Sequence, residues 1–215
     1  MIVPAAPVQP APVLAPVGVV SSAPAILAPP STTTLKVRSE QLNVLENQRA
    51  SVTGTLLEGA HPAGAGKAVA LQMLVGRGWQ TLALDHTGPR GRFRLSYVPR
   101  RLGSRILRLD FSGDAFARAS RHRLGSLNVF RLAGASWYGG GGSLACGGEL
   151  TSSTLGVANK TLPCGTLVTL RYSGHTVRVP VVDRGPYVEG REFDLTEATK
   201  RALGFGDTGL IWSTG

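Results

Sequence analysis

The sequence predicts an all-β fold, and three observations carry the prediction. Glycine and proline are abundant, 28 and 14 of 215 residues, which favours many turns over long helices. Between Thr34 and Leu132 the chain alternates apolar and polar residues in seven short runs separated by turn signals. Only one stretch, TEATKRALG from Thr196 to Gly204, carries a helical pattern with both ends marked. A hydrophobic fraction of 42% suffices for a core of ordinary size.

Residues 1–33 carry no charge and are built mainly of Pro, Ala and Val. Proline every few residues fixes φ and removes backbone donors, so this tract is expected to be a disordered leader or linker. It is not a transmembrane span, and it lacks the basic start and unbroken apolar stretch of a signal peptide. The export signal then lies upstream of an alternative start, or the tract is a degenerate leader. No cysteine stands near the start to carry a lipid anchor.

The runs LKVRS, RASVTGTLL, KAVALQML, WQTLALD, GRFRLSYV, RILRLDFSG and GSLNVFRL read as strands of an antiparallel β-sandwich over residues 34–132. Trp79, Leu82, Phe93 and Leu95 face its core in this reading. The stretch GWQTLALDHTGPRGRFRLSY resembles the immunoglobulin-like domains of bacterial surface proteins, by pattern more than by motif. The strand pattern stops at VFRLA, so a join between two compact units is expected near Arg131 to Ala135.

The net charge of +10 is unevenly placed: Ser31 to Gly134 holds 16 Lys/Arg against 6 Asp/Glu, and Ala135 to Gly215 holds 7 against 7. Such a basic surface suits nucleic acid, anionic lipid or the anionic polymers of a bacterial envelope, and equally a solvated face that binds nothing. The only cysteines are Cys146 and Cys164, and two thiols without clustered His cannot complete a zinc site, so no metal is expected. They form a disulfide, contributing about 3 kcal/mol in the chain-entropy model, or two buried free thiols; the disulfide is the reading taken.

Residues 135–215 continue with strand-like runs TLVTLRY and HTVRVPVV, the helix with Thr196 at its N-cap and Gly204 at its C-cap, and a closing strand GLIWST with Trp212 read as core. His175 at the SGH turn reads as an exposed loop residue. Four motifs stand in order: ASWYG (Ala135–Gly139), ACG (Ala145–Gly147), TLPCGT (Thr161–Thr166) and VDRGPYVEGREFDLTEA (Val182–Ala198). Together they resemble the rare lipoprotein A (RlpA) family, whose fold is similar to that of expansins and some lytic transglycosylases. The resemblance implies a six-stranded double-psi β-barrel with a surface groove and one short helix. It further implies an extracytoplasmic protein, secreted or cell-wall associated and monomeric, with peptidoglycan or another wall glycan as partner, no nucleic acid and no cofactor.

The family's activity is lytic cleavage of peptidoglycan strands, in which the saccharide's own hydroxyl takes the place of water. One carboxyl can donate a proton to the leaving oxygen and then act as base. Asp183 is the candidate, set between the apolar VRVPVV and the turn Arg184-Gly185-Pro186, with an alternative role accepting backbone hydrogen bonds within that turn. Glu149 and Asp194 would assist, Asp194 alternatively only orienting the helix start. Asn159, Arg184, Tyr138 and Tyr187 would contact substrate, with Tyr187 in the groove; Trp137 is a stacking or a core residue. Asn159 stands where the family carries a His, and Asn cannot shuttle protons. The alternative to an enzyme is therefore a non-catalytic, expansin-like glycan-binding or wall-loosening module.

Overall fold

The computed structural model describes residues 1–2 and 29–215, so most of the Pro/Ala-rich tract lies outside the described residues. All seven expected runs are strands: β1 (Thr33–Gln41), β3 (Ala50–Glu58), β5 (Ala68–Val75), β6 (Gly78–His86), β7 (Arg92–Tyr97), β8 (Gly103–Phe111) and β9 (Ser120–Tyr138). Two short ones, β2 (Asn43–Leu45) and β4 (His61–Pro62), were not anticipated, being too short to show alternation. Strands β1, β3, β4 and β7 form one antiparallel sheet; β9, β8, β5 and β6 follow one another in a second, with β2 parallel to β9.

The two sheets face each other because alternate side chains point inward. Leu35, Val52, Leu56, Phe93 and Leu95 meet Val44, Val69, Leu71, Leu107, Leu109 and Leu127 in one apolar core. Leu82 packs against this core from its edge. Trp79 corrects the expectation: it is half-buried outside the core, with the Arg108 guanidinium 4.0 Å over its ring.

The remaining strands are β10 (Val157–Ala158), β11 (Leu167–Tyr172), β12 (His175–Asp183), β13 (Phe193–Thr196) and β14 (Gly209–Ser213). The end of β9 pairs with β13, then β10, β12, β11 and β14 follow, and β14 returns to β9. This closed ring of six strands surrounds a second core of Ala133, Ala135, Val157, Leu170, Val179, Val181, Phe193, Leu195 and Ile211. The helix α1 (Glu197–Leu203) forms as its caps dictate: Thr196 Oγ1 accepts from the Thr199 amide, and Gly204 is left-handed at φ 63°. Leu203 buries against the ring core.

The sheet does not stop where the sequence suggested. β9 runs through Arg131 to Ala135 without a break, serving first the sandwich and then the ring. The two cores nonetheless divide there, the first ending at Val129 and the second starting at Ala133. Around the division, Arg131 pairs with Glu192 at 2.7 Å, and Ser104 shares a 2.9 Å hydrogen bond with Thr169. Trp212 is half-buried rather than core, its ring tilted against Phe130 at 5.7 Å. Gly134 sits where the 190 loop crosses β9, and any Cβ would collide with the Gly190 carbonyl.

Candidate active site

Strand β12 carries Asp183 at its end, and an irregular register decides which way it faces. Val157 pairs with Val181, but the next residue, Ala158, pairs with Asp183, so Val182 is an extra residue on β12. A regular ladder would leave Asp183 on the same side as Val179 and Val181, which are buried in the ring core. The bulge turns it to the side of Ala158 instead. Ala158 pairs on its other edge with Asp194, and Asp194 pairs with Ser136 of β9. Asp183, Ala158, Asp194 and Ser136 therefore form one transverse row on one face, the two aspartates separated by two inter-strand spacings, about 10 Å between backbones.

Each carboxyl has a defined partner. Ser136 Oγ donates to Asp194 Oδ1. Asp183 Oδ1 accepts from the backbone amides of Ala145 at 2.9 Å and Arg184 at 2.8 Å. Among the described residues nothing donates to Asp183 Oδ2. Tyr138 lies two positions beyond Ser136 on the same face. Its hydroxyl is buried and makes no hydrogen bond. Burial, then the negative charge of Asp183 and the pull of its carboxyl on the hydroxyl hydrogen, and finally the charge of Asp194, hold this phenol well above the ordinary tyrosine range, so it keeps its proton.

Two loops converge on Asp183 and are joined to each other. Cys146 bonds through its amide to the Val182 carbonyl at 3.2 Å and through sulfur to Cys164, with Cα atoms 5.5 Å apart. The expected disulfide is present. The Arg184 guanidinium turns away from Asp183 and donates to the carbonyls of Asn159 at 2.9 Å and Leu162 at 2.7 Å, and to Cys164 Sγ at 3.0 Å. The loop before Cys146 and the turn before Cys164 are thus fastened to the same short segment.

The other expected site residues are placed less uniformly. Tyr187 is 80% exposed on the loop after Pro186. Glu149 is exposed and accepts from Ser143 Oγ at 3.0 Å; no hydrogen bond or ion pair joins it to either aspartate. Asn159, expected to contact substrate, is only 6% exposed. Its Oδ1 accepts from the amides of Thr161 and Leu162, and its Nδ2 donates to the Glu192 carbonyl, so its polar atoms are committed to shaping the turn. Arg184 is likewise committed to structure. Trp137 stands at the surface with Lys200 Nζ 3.8 Å above its ring and its Nε1 donating to Asp207. That pairing with Lys200 and Trp137 holds the Asp207 carboxyl below its ordinary range.

Sequence reasoning missed Ser136 and the Ala145 amide. Ser136 could have been found by carrying the two-residue alternation back from Tyr138 through ASWYG; a backbone amide leaves no mark in a sequence. Among the described residues no group of three His, Cys, Asp or Glu side chains could hold a metal.

Residues 132–212 match the family model described as lytic transglycolase. The chain is similar to the "Probable endolytic peptidoglycan transglycosylase RlpA" of Aquifex aeolicus (strain VF5), 43% identical over 82 residues that cover 36% of each chain. It is also similar to the "Endolytic peptidoglycan transglycosylase RlpA" of Neisseria meningitidis serogroup A / serotype 4A (strain DSM 15465 / Z2491), 32% identical over 120 residues, 46% of this chain and 50% of that one. The chain thus spans about a third to a half of the length of these relatives. Among solved structures, the Streptomyces papain inhibitor (SPI) aligns with 39% of this chain and 91% of its own, at 24% identity and a TM-score of 0.32.

Proposed function

Because residues 132–212 form an RlpA-like double-psi β-barrel, we propose that the chain is an exported cell-wall protein that cleaves peptidoglycan glycan strands as a lytic transglycosylase. In this reading residues 34–132 are an immunoglobulin-like sandwich, residues 135–215 are the working unit, and the protein acts as a monomer outside the cytoplasm. The row of Asp183, Ala158, Asp194 and Ser136, with one Asp183 oxygen unbonded beside a protonated Tyr138, is the observation that carries the proposal.

The reaction breaks the bond between an anomeric carbon and the bridging oxygen and closes that carbon onto the sugar's own primary hydroxyl. Asp183 gives its proton to the bridging oxygen as the bond breaks. The carboxylate then takes the proton of the attacking hydroxyl and ends as it began, so no water enters. The amides of Ala145 and Arg184 hold Oδ1, leaving Oδ2 for both transfers. Asp194, oriented by Ser136, places negative charge near the developing positive charge on the sugar. Tyr187 offers an exposed ring for stacking at the margin.

One observation favours the second reading, a glycan-binding module. Asn159 has its polar atoms consumed by its turn, so no second proton carrier stands opposite Asp183 at that position. Incubation of the full chain with purified sacculi separates the two. Release of muropeptides with anhydro ends is the expected result; binding without release would turn the proposal to the module.

A further inference from the structure

We infer that the open end of the sandwich binds a phosphate-bearing lipid, its chain between the two sheets and its phosphate on three arginines. A cavity of about 500 Å³ opens there, between the end of β5, the starts of β6 and β8 and the middle of β9 on one side and the end of β7 with the residues after it on the other. Its floor is the sandwich core itself: Leu127 and Val129 belong to that core, and Met73 and Tyr97 pack against it. Val75 and Val98 stand exposed at its mouth. The size falls in the range of sites that take a small apolar ligand, roughly 300–1,000 Å³.

The rim has the opposite character. Arg100, Arg101 and Arg105 line the cavity and are all exposed. None pairs with an acidic side chain among the described residues, whereas Arg108, Arg121, Arg131 and Arg201 all do. Arg105 bonds only the neighbouring Ser104 carbonyl, at 3.0 Å. Guanidinium groups present a planar fork that matches phosphate oxygens and shed water more readily than ammonium. An aliphatic floor under three unpaired guanidiniums therefore fits a ligand with an apolar body and an anionic head.

The composition of the walls selects among such ligands. A nucleic acid needs rings on which bases stack, and Tyr97 is the only aromatic residue lining the cavity. A peptide inserted between the sheets would bring amide groups into a space whose only uncharged polar side chains are those of Gln80 and Tyr97, and each unpaired amide would cost free energy. An acyl or isoprenyl chain brings none. The excess of 16 basic over 6 acidic residues from Ser31 to Gly134 then favours approach to an anionic membrane face.

The test is calorimetric titration of the full chain with monomeric dodecyl phosphate, inorganic phosphate, dodecyl maltoside and an apolar peptide with a free carboxylate. Dodecyl phosphate is expected to bind at least about a hundredfold tighter than inorganic phosphate, because several methylenes become buried. Joint replacement of Arg100, Arg101 and Arg105 by Gln, and separately Val98→Asp at an exposed position, should each weaken it at least about tenfold. Co-sedimentation should follow phosphatidylglycerol vesicles, not phosphatidylcholine, and be lost in both variants; binding of dodecyl phosphate without vesicle binding would assign the site to a free amphiphile. Equal affinity for dodecyl and inorganic phosphate would reduce the rim to surface charge and overturn the inference, as would a peptide that binds tighter than dodecyl phosphate. These residues lie outside the carboxylate site, so release from sacculi should be unchanged in either variant, and the two proposals fail separately.

Discussion

The hydroxyl of Tyr138 lies beside two carboxylates and forms no hydrogen bond of ordinary geometry with either. An unpaired buried hydroxyl costs stability in the free protein, about 1–3 kcal/mol in general, so Tyr138→Phe should leave thermal stability unchanged or slightly raised. If the hydroxyl meets substrate or Asp183 during turnover, the same variant loses roughly tenfold or more in product release. A fall in stability with activity intact would make Tyr138 a packing residue. The pH dependence has a definite sign. A phenol whose folded pKa is raised contributes stability that is fully present below its unfolded value, near pH 10, and is lost as pH rises further. Tyr138→Phe should therefore narrow the alkaline loss of stability seen in unfolding measured above about pH 10. At the same scale, Glu149→Gln should reduce release less than Asp183→Asn, since the exposed Glu149 carboxyl is bonded to Ser143 whereas Asp183 is held in place by two backbone amides. Asp183 and Asp194 were legible in the sequence because motifs mark them. Asn159 and Arg184 show what spacing hides, namely where a side chain's hydrogen bonds go: Asn159 bonds its own turn and the Glu192 carbonyl, and the Arg184 guanidinium bonds the Asn159 and Leu162 carbonyls and Cys164 Sγ.

Asp183 faces outward only because β12 absorbs one extra residue against β10. That bulge was not legible in VRVPVVD, since a single added residue leaves alternation almost unchanged, whereas the seven sandwich strands and α1 were. The helix announced itself through Thr196 and Gly204. Thr196 does more than cap: its hydroxyl also donates to the Gly156 carbonyl, as does that of Thr199, and Gly156 itself is packed against Val182. Thr196→Ala should cost about 1–2 kcal/mol in denaturant unfolding, the upper end if the Gly156 carbonyl is left unpaired. The disulfide is the second element-scale test. Its loss in a Cys146→Ser, Cys164→Ser variant should lower stability by about 3 kcal/mol. Release from sacculi should fall as well, because Ala145 reaches Asp183 from the residue next to Cys146 and Arg184 reaches Cys164. Unchanged activity would mean that the loops hold Asp183 without the cross-link.

Across the whole molecule, β9 makes the sandwich and the ring one hydrogen-bonded structure, with Arg131 to Glu192 and Ser104 to Thr169 beside it. Val129 pairs with β8 and β2, Phe130 with β2, residues 131–135 with β14 and Ala135 also with β13. A strand held without interruption opens rarely, so residues 129–135 should be protected against hydrogen exchange as well as the strands flanking them. Fast exchange there would contradict a rigid junction. The sequence pattern stopped at VFRLA because Gly134 and the alanines around it interrupt the alternation, not because the strand ends. The division of charge follows the same boundary, basic on the sandwich and balanced on the ring; the proposed glycan chemistry belongs to the ring, whose strands carry both aspartates. Asp183→Asn, assayed with purified sacculi for both anhydro-muropeptide release and pull-down, tests that chemistry most directly, because the change keeps shape and removes only the transferable proton. Release should vanish while pull-down stays nearly intact; equal loss of both would make Asp183 a binding or structural residue, and undiminished release would remove it from the mechanism.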